Sequence, residues 1–228
     1  MNPKEYLASV RARVAVLTLV GGLSVVLGGS ASATVITLTL DNPAATSVQQ
    51  TNDHPCIYGD PSCSNPAGFG FTTLGSGGTV NFTNLASPDY TVTQIESVLA
   101  GTDTFSVGID VNSTSHPVGT EELALFQMLV NGVVVAEYSA ADPGTPLANP
   151  NNGSGFSDDQ LNGFSLAGLL GTDTVSFNLT YNNGTDGSEE FFLIAGTPTV
   201  PVPEPSTVAV LGAALLGFGV LYRRRVMK

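Results

Sequence analysis

An all-β fold, an antiparallel β-sandwich of jelly-roll type, is predicted for the central part of this 228-residue chain by three observations. Several segments alternate apolar and polar residues with a period of two, the spacing of a half-buried strand. Gly, Asn, Asp, Ser and Pro cluster between them, as turns require. No stretch of useful length carries the 3.6-residue apolar period of an amphipathic helix.

Taken in order, residues 35–40 and 80–85 are short alternating runs, and residues 105–111 place Phe105, Val107, Ile109 and Val111 on one face. Residues 123–130 and 133–138 flank Asn131-Gly132. That dipeptide predicts a two-residue hairpin, because a type I′ turn needs positive φ at both central positions. Residues 175–181 alternate over seven positions, and residues 191–195 make a last strand. Residues 142–156, dense in Pro, Asn and Gly, are loop. Residues 90–99 fit helix and strand equally, and residues 158–161 fit a short helix. The total is about eight to ten strands, near the usual count for a sandwich. A Gly-Thr-Asp-Thr sequence occurs at 101–104 and again at 171–174, each just before an alternating run. Its Asp suits a turn in which the side chain binds nearby backbone N–H groups.

Charge divides the chain into ends and body. All seven basic residues are terminal: Lys4, Arg11 and Arg13, then Arg223, Arg224, Arg225 and Lys228. Residues 34–203 hold eleven Asp, six Glu and no Lys or Arg, a formal charge of −17. A body without cations cannot neutralise phosphates, which excludes nucleic acid as a partner. Its carboxylates repel one another, favouring solubility and opposing compaction.

The N-terminus has the form of a secretory signal. Lys4, Arg11 and Arg13 precede fifteen uncharged, mostly apolar residues, 14–28, and Ala31-Ser32-Ala33 supplies the small-residue cleavage pattern. Signal peptidase is thus expected to remove residues 1–33 and leave Thr34 as the mature start.

The C-terminus has three parts: Val202-Pro203-Glu204-Pro205, an uncharged and mostly apolar run at 206–222, and Arg223-Arg224-Arg225. Pro205 suits a helix start, where its missing N–H is not needed. A helix from Ser206 spans roughly 25 Å at ~1.5 Å per residue, slightly less than a ~30 Å hydrocarbon core, a shortfall that snorkelling arginines bridge. The arginines place the extreme C-terminus on the cytoplasmic side and the body outside. This tail resembles the PEP-CTERM sorting signal, which is also known as an ice-binding-protein C-terminal domain. The resemblance implies exosortase, a membrane-embedded cysteine transpeptidase, as a partner that cuts near the triplet. It further implies a Gram-negative host that makes exopolysaccharide. The resulting organisation is a signal peptide (1–33), an acidic ectodomain (34–197), a Pro-rich linker with the triplet (198–205), and a transmembrane helix with basic tail (206–228).

Within the body, Cys56 and Cys63 are the only cysteines, and export favours a disulfide between them. The alternative is a metal site with His54 and His116, although the spacing matches no common zinc pattern. The polar loop at 182–190 nominates Asp186, Glu189 and Glu190 as ligands of a structural calcium, with Asp158-Asp159 and Asp110-Val111-Asn112 as further oxygen-rich stretches. None follows the EF-hand spacing. No cofactor beyond that calcium is expected.

Catalytic motifs are missing: there is no Gly-x-Ser-x-Gly, no His-Glu-x-x-His and no phosphate loop. Glu121-Glu122 and Glu189-Glu190 are adjacent acidic pairs, whose members point to opposite faces on a strand. The expectation is a non-catalytic surface or matrix protein, structural or adhesive among exopolysaccharides. A carboxylate-pair glycan hydrolase is the alternative. A glycan- or ice-binding module is a further one, weakened by the absence of Trp and by a lone Thr37-x-Thr39 pair.

Overall fold

The alternating segments form the long strands. The computed structural model describes residues 34–75, 79–112, 120–150, 153–184 and 189–196. Along the chain these form β1 (Ile36–Thr37), β2 (Thr39–Asp41), β3 (Cys56–Gly59), β4 (Thr72–Thr73), β5 (Val80–Ala86) and β6 (Tyr90–Thr91). A helix, α1 (Val92–Val98), precedes β7 (Thr104–Asp110), β8 (Glu122–Val130) and β9 (Val133–Ser139). The series closes with β10 (Thr145–Pro146), β11 (Asp159–Ser165), β12 (Thr174–Gly184) and β13 (Glu190–Ala195).

Two sheets result. One runs β1-β9-β8-β12-β5, with β10 beside β8 and β6 beside β12; the other runs β2-β11-β7-β13-β3-β4. The pairing is nested: β3 joins β13, β5 joins β12, β7 joins β11 and β8 joins β9, all antiparallel. Both sheets are nevertheless mixed rather than antiparallel throughout, because the two-residue strands β1 and β4 run parallel to β9 and β3.

The core lies between the sheets and is aromatic. Phe126 of β8 reaches across to Tyr58 of β3, Phe164 of β11 and Phe191 of β13, with ring centroids 6.4, 5.9 and 6.1 Å away. All four side chains are fully buried, and truncating such a Phe to Ala typically costs about 3–5 kcal/mol. The Tyr58 hydroxyl lies 2.8 and 2.7 Å from the carbonyls of Leu85 and Phe177, so one sheet is tied to the other by a polar contact as well.

Three local outcomes follow from sequence chemistry. Asn131 and Gly132 adopt φ of 50° and 78°, as the type I′ turn demands, and Val130 faces Val133 across it. The undecided 90–99 stretch divides into β6 and α1. There the Gln94 N–H donates to Thr91 Oγ1 and the Thr91 N–H donates to Gln94 Oε1, which completes a capping box. The Asp173 side chain of the second Gly-Thr-Asp accepts the Leu170 N–H at 2.8 Å, the turn contact that its sequence predicts.

Two elements depart from expectation. Residues 158–161 form no helix: Asp158 immediately precedes β11 and residues 159–161 open it, pairing with β7 through Asp159↔Ile109 and Leu161↔Val107. Residues 56–59 are a fully buried strand. Both of its sides are covered, since Cys56 packs with Phe192 and Ile194 in a second small core, so no apolar/polar alternation marks it. Among the described residues no helix is long and apolar enough to cross a membrane, and residues 206–228 lie outside them.

Candidate functional site

One end of the sandwich collects carboxylates. At this end β7 finishes with Asp110, β8 starts after Glu121, β11 starts after Asp158, and β13 starts after Glu189. The Asn131–Gly132 turn and α1 lie at the other end. The Asp158 N–H donates to the Ile109 carbonyl at 2.8 Å, which continues the β7–β11 register and brings Asp158 beside Asp110. On the other side of β7, Asp110 is directly opposite Glu190.

The strand pleat sorts the acids. Asp159 pairs with Ile109 and so shares its core-facing side, whereas Asp110 and Glu190 share the outer side with Phe192. Glu121 points inward with Leu123, and the Tyr181 hydroxyl donates to its Oε2. Glu189 lies on the core side with Glu121 as its first charged neighbour, and it also feels the charge of Asp110 across the sheet. The paired sequences Glu121-Glu122 and Glu189-Glu190 therefore split as alternation predicts, and only the inner members meet.

All six side chains are buried: Asp159 and Glu189 are 0% exposed, Asp110, Glu121 and Asp158 2%, and Glu190 3%. Their partners are few. Asp110 Oδ2 accepts from the Gly155 N–H at 2.5 Å and from Asn112 Nδ2 at 3.1 Å. Asp158 Oδ2 accepts from the Val111 N–H at 2.8 Å, and Asp159 Oδ1 accepts from the Ala148 N–H at 3.3 Å. Glu190 Oε1 accepts from Ser62 Oγ at 3.3 Å. Asp158 Oδ1, Asp159 Oδ2 and Glu190 Oε2 have no hydrogen-bond partner among the described residues, whereas the Glu189 carboxyl meets that of Glu121.

Burial accordingly pushes these acids toward their neutral forms. Asp110 and Asp159 rise to about 7 and Asp158 to about 6, first by desolvation and then through neighbouring carboxylates. Glu189 is raised by burial and by the charge of Glu121. Burial and the nearby Asp60 raise Glu190. The Tyr181 hydroxyl, surrounded by Glu189, Glu121 and Asp159, is held protonated.

The sequence nominated Asp186, Glu189 and Glu190 as one ligand set. Asp186 lies outside the described residues, and Glu189 and Glu190 face opposite sides of their sheet. Glu190 instead sits within 4.8 Å of the Cys56 and Cys63 sulfurs. Those sulfurs form the predicted disulfide, with Cα atoms 6.1 Å apart, and so offer no thiolate to a metal. The alternative zinc role for His54 finds no support, since its Nδ1 bonds the Gln49 carbonyl at 3.0 Å; His116 is outside the described residues. Thr34 is exposed. Ala31, Ala33, Val202, Pro203, Glu204, Pro205, Arg223, Arg224 and Arg225 also lie outside the described residues. Sequence inspection passed over Glu121 as a cluster member, and its only signal is its place just before an alternating strand.

The exposed side of the first sheet carries a polar row. Glu137, Gln127 and Asn178 stand side by side across β9, β8 and β12, with Gln127 Nε2 2.6 Å from Glu137 Oε2 and Asn178 Nδ2 3.5 Å from Gln127 Oε1. A cleft of about 150 Å³ beside Pro66, Phe69, Gln94 and Val98 is smaller than usual small-molecule sites of roughly 300–1,000 Å³.

The chain matches no curated protein and no solved structure. Residues 201–225 match the family model of the PEP-CTERM protein-sorting motif. The chain thus carries a PEP-CTERM protein-sorting motif at its C-terminus, the mark of an exported protein that an exosortase-type system sorts.

Proposed function

We propose that this is a non-catalytic protein of the cell surface or extracellular matrix, with a structural or adhesive role among exopolysaccharides. Signal peptidase removes residues 1–33, and the apolar segment before the basic tail holds the intermediate in the inner membrane with Arg223–Arg225 inside. Exosortase then acts near Pro203-Glu204-Pro205, delivering the acidic body outward.

The observation that carries the non-catalytic reading is the burial of the acids. A glycosidase needs two carboxyls open to a sugar, about 5–10 Å apart. The inward pair Glu121 and Glu189 is 2% and 0% exposed, closed to a polysaccharide. The nested pairing of β3–β13, β5–β12, β7–β11 and β8–β9 supports a jelly-roll order, an architecture that includes lectin domains. The Glu137–Gln127–Asn178 row is a surface suited to hydroxyl-rich polymers, and that link to glycans is one of fold and chemistry only.

The test incubates the full chain, purified in mild detergent, with exopolysaccharide of the producing cells. Retention on the polymer without release of reducing ends is expected. Reducing ends that appear with wild type and vanish with Glu121→Gln would make the hydrolase the correct reading.

A further inference from the structure

We propose that Cys56–Cys63 is a reducible disulfide that exchanges with dithiols, and that Glu190 is the buried acid that protonates the departing Cys56 sulfur. A carboxyl oxygen of Glu190 and both sulfurs lie within 4.8 Å of one another, a separation that one bridging water closes for a proton. Sorting and the matrix role leave these groups unused. The protein enters the exchange as a reactant, so the non-catalytic reading does not depend on it.

The two sulfurs are unequal. Cys56 is 0% exposed and packs with Phe192 and Ile194 in the second small core. Cys63 is half-buried in the turn after β3, between the exposed Ser62 and Ser64. An incoming thiolate therefore reaches Cys63 and drives off Cys56 as the leaving group. Asn65 keeps Cys56 in place when the bond opens. Its Oδ1 accepts the Cys56 N–H at 2.8 Å, and its Nδ2 donates to the Cys56 carbonyl at 2.9 Å.

A thiolate released into that core is costly, because burial favours the neutral thiol and a sulfur of high pKa leaves slowly. A positive charge could ease its departure, but no Lys or Arg occurs from residue 14 to residue 222. A proton from Glu190 serves instead. Glu190 is 3% exposed, and its Oε2 has no hydrogen-bond partner among the described residues. Burial and Asp60 of the turn push its carboxyl toward the neutral form, and Ser62 Oγ, 3.3 Å from Oε1, acts against them. Asp110 stands opposite on β7 as a further acid.

Electrons and protons balance. A thiolate of the dithiol attacks Cys63 Sγ, the bond between the two sulfurs breaks, and its electron pair passes to Cys56 Sγ. Glu190 gives that sulfur its proton and later regains one from water. The second thiol of the reagent then attacks the reagent's own sulfur in the mixed disulfide and releases Cys63, which solvent protonates. The dithiol departs as a disulfide, and the protein has gained two electrons and two protons.

Reduction of the full chain by dithiothreitol in mild detergent, followed from mild acid to mild alkali, tests the proposal. Each rate is divided by the concentration of reagent thiolate. On wild type this normalised rate should fall as pH rises and Glu190 loses its proton. Glu190→Gln should be slower by about tenfold or more in mild acid and indifferent to pH. Asp60→Asn should move the fall to lower pH, since it removes a charge that keeps Glu190 neutral. Loss of stability cannot mimic this, because ionising the buried acids loosens the fold as pH rises and would speed reduction through unfolding. Equal normalised rates for wild type and Glu190→Gln at every pH would overturn the proposal. A wild-type rate that does not fall with pH, or one raised by small additions of urea, would overturn it too.

Discussion

Asp110 and Glu190 stand directly opposite one another on neighbouring antiparallel strands, both all but inaccessible to water. Opposed like charges destabilise a strand pair by a few tenths to about 1 kcal/mol, and burial adds to that. Here the cost is retained at the rim of the sandwich, next to the disulfide and to Asp60.

Removing one member should therefore stabilise the protein. Glu190→Gln keeps the shape and can still bond Ser62 Oγ, but it carries no charge. Near neutral pH it should gain about 0.5–1 kcal/mol, or roughly 1–4 °C in Tm. A lower Tm would mean that the carboxylate makes a favourable contact that outweighs its repulsion.

The protein should also prefer mild acid. Asp110 and Asp159 rise from 3.8 to about 7 and Asp158 to about 6 in the folded state. Folded protein thus binds protons more tightly than unfolded chain, whose carboxyls keep ordinary values. The resulting stability is complete below pH 3.8 and is lost as pH rises through 6 to 7. Tm should fall steadily between those limits, opposite to the trend of a protein whose acids are salt-bridged. The exposed Asp173, held low by Asn131 and the Leu170 N–H, runs the other way, and its contribution disappears on acidification.

Reduction of Cys56–Cys63 should lower stability by about 2.5 kcal/mol, the chain-entropy value for so short a loop. Gly59 has a specific part in that loop: a Cβ there would overlap Cys63 Sγ and press on Cys56 Sγ. Gly59→Ala should consequently slow oxidative closure and lower Tm under oxidising conditions, while costing much less in the reduced protein. Equal losses in both states would show that the glycine serves the strand and not the disulfide.

Legibility in the sequence followed the solvent. Strands with one wet face, such as β8 and β12, announce themselves by alternation; β7 does so because its outer residues Ser106, Gly108 and Asp110 are small or polar although buried, and Asn131-Gly132 announces its turn by backbone chemistry. The strand at 56–59 is hidden because both its faces are covered, and β11 because its polar head, Ser157-Asp158-Asp159-Gln160, resembles a helix cap. The carboxylate cluster could not be assembled from spacing. Glu121, Asp158 and Glu189 are more than thirty residues apart, and only the strand order brings their ends together. The acid pairs were the readable part, since alternation already implied that one member of each would turn inward.

The most direct measurement is the intact mass of the surface form from the native host, with and without its exosortase. Cleavage near Pro203-Glu204-Pro205 predicts that wild-type cells display a body lacking residues 1–33 and 208–228, while cells without the enzyme keep the C-terminal segment. A surface form that retains residues 208–228 in wild-type cells would contradict sorting by this tail.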